Sequence, residues 1–483
     1  MMLQSLWAMD RSRTMRGGKR RKWLLLILGL GLSPQAPAGD WTQFGWDVAS
    51  SGASTDGTGI SMANAVSLQR RQVALDGTVD AAAIYLHGIE VKGARHDVFF
   101  VTTTYGKTIA IDADQGSVLW EYTPPKLSSW EGSRQITNST PVADPDRKHI
   151  YAAAPDGTIQ KLDVSDGRVL WSTLITRLPA REKIAAPLRE FRGRIIAVTD
   201  GYIGDSPPYQ GHVVIVDTQS GKLLHVWNSL CSDQPRLLTP SECPSTMSGI
   251  WGRAGAVIDQ ATGDIFVATG NGPYNGKTDW GDSTIQLDPD AARMLGNFTP
   301  SNSTELEERD LDLGSTSPVL LGDGLVAQGG KDRKILLLEL GAISGVSPHQ
   351  GHERQVVSTP SGGALFTAPV VWRSNGTTWM FAADGGATAA WTLEGGKLVE
   401  RWKNGNGGTS PVIAGGLLYV YDPKGKLRIY EPTKGNQVAD LPAGSGHWNS
   451  PIVADGRIAL PEGNANKHSS SGVLDIWSVA APK

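Results

Sequence analysis

The chain repeats itself. "GKTIAIDADQGSVLW" (Gly106–Trp120) aligns without a gap to "GTIQKLDVSDGRVLW" (Gly157–Trp171), and "GHVVIVDTQSGKLLHVW" (Gly211–Trp227) follows. Asp112, Asp163 and Asp217 lie 51 and 54 residues apart. Weaker copies are "GDSTIQLDPDA", "DRKILLLELGA", "GATAAWTLEGGKLVERW", "GKLRIYEPTKGNQVADL" and "SGVLDIWSV". A period of this length means a stacked or radial array of one small unit. Within each copy the apolar alternation predicts a half-buried strand. Asp with Gly four residues on predicts a tight turn. The closing Trp can pack into the seam with a neighbouring unit.

A second element precedes each copy: "NSTPVAD", "AAPLRE", "STSPVLL", "TAPVVW", "TSPVIAG" and "NSPIVAD", with Pro141, Pro187, Pro318, Pro369, Pro411 and Pro451. "DAAAIYL" and "RAGAVID" fill the remaining places. Eight units of about four short strands each make an all-β, eight-bladed β-propeller. The last unit has room for three strands. The segment Asn64–Gly77 can supply the fourth, so that the N-terminal strand closes the ring and leaves no open edge.

Residues 1–38 read as a signal peptide: a basic stretch, the apolar run "WLLLILGLGL", then Ala36-Pro37-Ala38. The apolar run is short of the ~20 residues that a spanning helix needs. Residues 39–483 then form one propeller domain, periplasmic or secreted, with no stable membrane span after processing. The formal net charge of −3 becomes −9 once the leader, with seven basic residues and Asp10, is removed. An acidic surface without a basic block argues against nucleic acid as a partner. In an oxidising compartment the two cysteines, Cys231 and Cys243, are expected to close a short disulfide loop.

Loops leading into each innermost strand of a propeller line one mouth of its channel, and the second-to-third strand loops share that mouth. "GIWGRAG", "DLDLGSTSP", "EKIAAP", "NGGTSP", "GHWNSP", "TGNGPYNGKTDWGDS" and "QGGKDRK" all fall there. They bring Trp251, Arg253, Asn271, Asp310, Asp312, Lys331, His447, Trp448 and Asn449 to one end from different blades.

The repeats and these loops resemble those of the pyrroloquinoline quinone (PQQ) dehydrogenases, in style the polyvinyl alcohol dehydrogenase-like branch. "IWGRAG" resembles the motif whose indole lies against the cofactor, here Trp251. "ATGNGPYN" resembles the calcium-holding turn, here Asn271. "RDLDLGS" resembles the segment with the catalytic base, here Asp310 or Asp312. "GGKDRKI" resembles the loop whose basic residue meets the quinone oxygens, here Lys331. The resemblance implies PQQ and Ca²⁺, with Arg253, Asn138 and Trp448 also near the cofactor, an alcohol or polyol as substrate, and a separate electron acceptor. The chemistry asks for such residues: an aromatic wall for a flat quinone, hard oxygens for calcium, and a carboxylate base for an alcohol proton. The family's third-blade Glu is missing from "TDGYIGDSPPYQGHVV", where Asp205 is taken as the replacement ligand. A propeller of this type that lost its cofactor would instead be a protein-binding scaffold of the cell envelope.

Overall fold

A computed structural model of the chain describes residues 39–202 and 206–479. The expected leader over 1–38 and Asp205 lie outside the described residues. Eight four-stranded antiparallel sheets follow one another along the chain. Blade 1 runs from its innermost strand Ile84–Val91 through Ala94–Thr102 and Thr108–Asp112 to Val118–Tyr122. The innermost strands of blades 2 to 8 are Val142–Ala143, Arg189–Phe191, Val257–Ile258, Val319–Gly322, Val370–Ser374, Val412–Ala414 and Ile452–Ala454. In blade 8 the outermost strand is Gln69–Leu75, paired along its whole length with Gly472–Ser478. The ring is therefore closed by the N-terminal strand, as the repeats predict. Blade 3 carries an additional two-stranded ribbon, Glu182–Lys183 with Asp200–Gly201. The acidic run after Asn302 forms one short helix, Ser303–Glu308.

The repeat signature has a direct physical cause. The indole N–H of Trp120 in blade 1 donates to the Val164 carbonyl in blade 2, at 2.8 Å. Trp171 donates to Thr218 in blade 3 (3.1 Å), and Trp402 in blade 6 to Pro432 in blade 7 (2.6 Å). Each indole lies on the glycine of the next blade's turn. A Cβ added to Gly167, Gly221 or Gly435 would stand 2.6, 2.7 or 2.6 Å from that ring. These three glycines also have φ between 70° and 76°, a conformation that favours glycine. The preceding acid shapes the turn: Asp163 and Asp217 accept backbone N–H groups of Ser165 and Ser220. One motif thus makes a turn and the socket for its neighbour.

The segment 41–58 crosses the ring. Trp41 pairs with Tyr85 of blade 1 through two backbone bonds of 2.8 Å. Carbonyls of Thr42, Val48, Ser51 and Gly52 accept N–H groups of Ala143, Ile258, Val371 and Ile413, on the innermost strands of blades 2, 4, 6 and 7. Those strand groups face the channel and need partners once buried. Phe44 sits between two buried guanidiniums, Arg189 and Arg253, each 5.8 Å from its ring centroid. Burial pushes both arginines down to about 10, which leaves them charged at neutral pH. Beside Phe44 lies a void of about 10 Å³, room for about one water. The N-terminal segment is a floor.

Trp120→Ala should destabilise the fold by about 3–5 kcal/mol, the range for truncating a buried aromatic. Gly167→Ala should lower stability in the same direction, because its Cβ meets the same indole. Urea unfolding followed by circular dichroism measures both; midpoints equal to wild type would show that the seam contributes nothing.

Candidate functional site

Above the floor lies a cavity of about 460 Å³, walled by residues of blades 2, 3, 4, 5, 6 and 8. That volume suits a small organic ligand. Trp251, Asn271, Asp310, Asp312, Lys331, Asn138 and Trp448 all line it.

One side is built by two loops of blades 4 and 5. The turn after strand Ile265–Ala268 holds Asn271. Its irregular shape comes from Asn275, whose side-chain oxygen accepts the backbone N–H of Lys277, Thr278 and Asp279. The Asn271 carbonyl accepts from Ser248 N at 2.6 Å, which fixes the turn against the loop before Trp251. Asn271 N–H donates to Asp312 Oδ1 at 2.6 Å, and Asn271 Nδ2 to Asp310 Oδ1 at 3.2 Å. The amide oxygen Oδ1 is buried and has no hydrogen-bond partner. Gly270 leaves little room: a Cβ there would stand 3.1 Å from both Asp312 Oδ1 and Trp251 Nε1.

Lys331 Nζ reaches Asp310 Oδ1 at 2.5 Å and also contacts Asp312. It lies 5.5 Å from the Trp251 ring centroid, a cation–π distance. Burial alone would lower this ammonium, but Asp312 and Asp310 outweigh it and hold it above its ordinary value. Burial raises the Asp312 carboxyl, with Lys331 opposing. The two acids differ in access: the Asp310 side chain is 67% exposed and that of Asp312 8%.

Asp282 sits behind this pair. Its Oδ1 accepts Leu313 N–H at 2.9 Å and its own N–H donates to the Gly270 carbonyl at 3.0 Å, so it ties both loops together. Its Oδ2 is buried and unpartnered. Burial pushes the carboxyl up to about 8.

Across the cavity, Trp448 is flanked by Phe366 (centroids 5.7 Å apart) and His447 (4.4 Å). Phe366 also stands 6.0 Å from Trp251, so three aromatic rings run along the wall. Asn138 donates its side-chain amide to Asp80, which is buried behind it. Arg253, expected near a cofactor, is not among the cavity-lining residues. It lies behind Trp448, donating to that residue's carbonyl at 3.2 Å and stacking on its ring. The structure joins Cys231 to Cys243, with Cα atoms 6.0 Å apart. Their loop borders the Asn271 turn through Cys231 N–H and Asp279 Oδ1, at 3.0 Å.

Several lining residues were not singled out from sequence. Asp200, in the same "TDGYIGD" stretch as Asp205, is the blade-3 acid that the structure places in the wall, beside Gly249. Lys183, Tyr202 and Tyr209 accompany it. Phe366 holds the place before Pro369 that Trp448 holds before Pro451, a frame that could have found it. Asp80 stands in "TVDAAA", in the loop that enters blade 1.

Residues 51–243 match a family model described as outer membrane protein assembly factor BamB. Among curated proteins, the chain is 26% identical over 279 residues to quinohemoprotein alcohol dehydrogenase ADH IIB of Pseudomonas putida, covering 52% of this chain and 38% of that protein. It is 24% identical over 216 residues to polyvinylalcohol dehydrogenase of Sphingopyxis sp. (strain 113P3), covering 41% and 31%. The chain thus spans less than two-fifths of the length of these relatives. Among solved structures, the quinohemoprotein alcohol dehydrogenase of Comamonas testosteroni matches with a TM-score of 0.67 at 16% identity, over 92% of this chain and 81% of that one. A europium-containing methanol dehydrogenase matches at 0.66 and 14%, over 91% and 98%. At such identities the structures speak to the fold alone. The chain resembles the quinoprotein dehydrogenases, and its fold is their eight-bladed propeller.

Asp282→Asn keeps the acceptor for Leu313 N–H and removes the ionisation. In the unfolded chain this acid ionises near pH 4, but in the folded one only near 8, so its contribution to stability falls as pH rises between the two. At pH 8 the variant should therefore be more stable than wild type by at least about 1 kcal/mol, the gap closing towards pH 4. Urea midpoints across that range test it; a variant less stable than wild type at pH 8 contradicts the assignment.

Proposed function

We propose that the chain is an exported dehydrogenase that oxidises an alcohol with PQQ and a Ca²⁺ ion held in this cavity. The observation that carries the reading is the buried Asn271 Oδ1, left without a partner beside two carboxylates and an aromatic wall. A buried amide oxygen in that state fits a hard cation. Asn271 and Asp200 would hold the ion, and Trp251 would lie against the quinone. Asp205 lies outside the described residues, and Asp200 of the same stretch lines the cavity. When bound, the quinone accepts hydride and the ion supplies Lewis acidity.

The protein's own groups then divide the work. Asp310 is the base: it is the exposed acid of the pair, within reach of a substrate hydroxyl. Asp312 is buried, accepts Asn271 N–H and holds Lys331 in place. Lys331, kept cationic by both acids, offers positive charge where negative charge develops on an acceptor oxygen. Trp251, Phe366 and Trp448 keep one face of the cavity apolar, which strengthens these interactions by limiting water. Electrons leave to a separate acceptor. The leader pattern supports a periplasmic or secreted location, and among the described residues no helix is long and apolar enough to cross a membrane. The alternative, a protein-binding scaffold, draws on the assembly-factor family match over residues 51–243; the filled set of cavity acids, amide and lysine favours the enzyme.

Purified protein incubated with PQQ and Ca²⁺ should retain quinone absorbance after desalting and reduce an artificial dye with an alcohol. Asp310→Asn should keep the cofactor and lose turnover by about 10²–10⁴-fold, the usual worth of a positioned base. Asn271→Ala should weaken calcium-dependent retention. No retention at micromolar PQQ would leave the scaffold reading.

A further inference from the structure

The wall opposite Asp310 holds a second arrangement of polar groups. Asp80 has a fully buried side chain. It accepts four hydrogen bonds: Asn138 Nδ2 at 3.1 Å, Ala465 N at 3.0 Å, His447 Nδ1 at 2.8 Å and Trp448 N at 2.7 Å. The donors come from the loops entering blades 2 and 8 and from a loop within blade 8. Three of these groups meet Oδ2 and one, Trp448 N, meets Oδ1, and a carboxylate only accepts. His447 Nδ1 must therefore carry the hydrogen. In the neutral ring, Nε2 is then an acceptor.

The ring is also fixed in place. His447 N–H donates to Asn449 Oδ1 at 2.9 Å, and Asn449 Nδ2 to the Val79 carbonyl at 2.7 Å. The imidazole packs on Trp448 and lines the cavity, with 27% of the side chain exposed. Such rigidity exceeds what a surface histidine needs.

We propose that Asp80 is a positioning residue that presents His447 Nε2 as an acceptor for a second hydroxyl of the substrate, one other than the hydroxyl that meets Asp310. The cavity then selects diols and larger polyols over simple alcohols. A substrate without the second O–H leaves a partly buried acceptor unpaired, and the resulting discrimination is about 10-fold. The selectivity rests on the alcohol-oxidising reading; the tautomer does not.

Two measurements test this. In protein without added cofactor, ¹⁵N imidazole spectra, with His447 assigned through His447→Gln, should show Nδ1 protonated and Nε2 bare. Asp80→Asn should convert the ring to a mixture of tautomers. Protonated Nε2 as the main wild-type form would overturn the positioning role. In protein loaded with PQQ and Ca²⁺, KM for the best of a series of terminal diols of increasing length should be about 10-fold below that for the monoalcohol of equal chain length. His447→Phe and Asp80→Asn should bring the ratio towards one, and His447→Gln, which keeps an acceptor, should recover part of it. A wild-type ratio of one, or a ratio that survives His447→Phe, overturns the selectivity. Failure to turn over any alcohol defeats the dehydrogenase reading and the selectivity together, while the spectra still decide the role of Asp80.

Discussion

The ring exists because its two ends are paired. Gln69–Leu75 and Gly472–Ser478 are far apart in sequence, yet their ladder completes blade 8. Arg70 fastens it with two bonds to the buried Asp475, at 2.8 and 2.6 Å, and a third to Glu462 at 2.9 Å. A two-pronged guanidinium–carboxylate contact carries geometric specificity as well as charge. Without this closure, the first and last blades would present unpaired edges. Every wall of the cavity depends on it, since the blade-8 loop faces loops from blades 2 to 6.

The site shows how a repeat can carry chemistry without repeating it. Each blade places one loop at the same mouth, and these loops differ although the strands do not. Asn271 comes from blade 4, Asp310 and Lys331 from blade 5, and His447 from blade 8. Asp310 and Asn271 lean on each other as well as on their own blades. Each is bonded across the blade 4–blade 5 seam, and Asp282 ties that seam from behind. Charges are similarly shared: Lys331 stays cationic in a half-buried place because two acids flank it.

The fold was legible because strand alternation, the Asp-to-Gly turn and the docking Trp recur with one period. Each is a local signal, read without knowing what lies next to it. The site was partly legible, since Trp251, Asn271, Asp310 and Lys331 stand in loops that the register assigns to one mouth. Other features could not be read. Asp200, which lines the cavity, was passed over because spacing does not reveal which acid of a long irregular stretch turns towards a channel. Arg253 was assigned to a cofactor because its motif sits beside Trp251. Its neighbours Phe44 and Trp448 are distant in sequence, and they place it one layer below. Asp80 left no trace in the pattern: a buried carboxylate is defined by its donors, and here these come from three separate places in the chain.

The floor laid by residues 41–58 has a consequence for traffic. With Phe44 packed between two arginines beneath Trp448, the channel is a blind well and not a pore. Arrival and departure share one door, so a spent molecule must clear the mouth before a fresh one can settle. Occupancy is then a matter of turns taken in sequence. A substrate with a long tail would keep that tail outside and offer only its end to the bottom of the well.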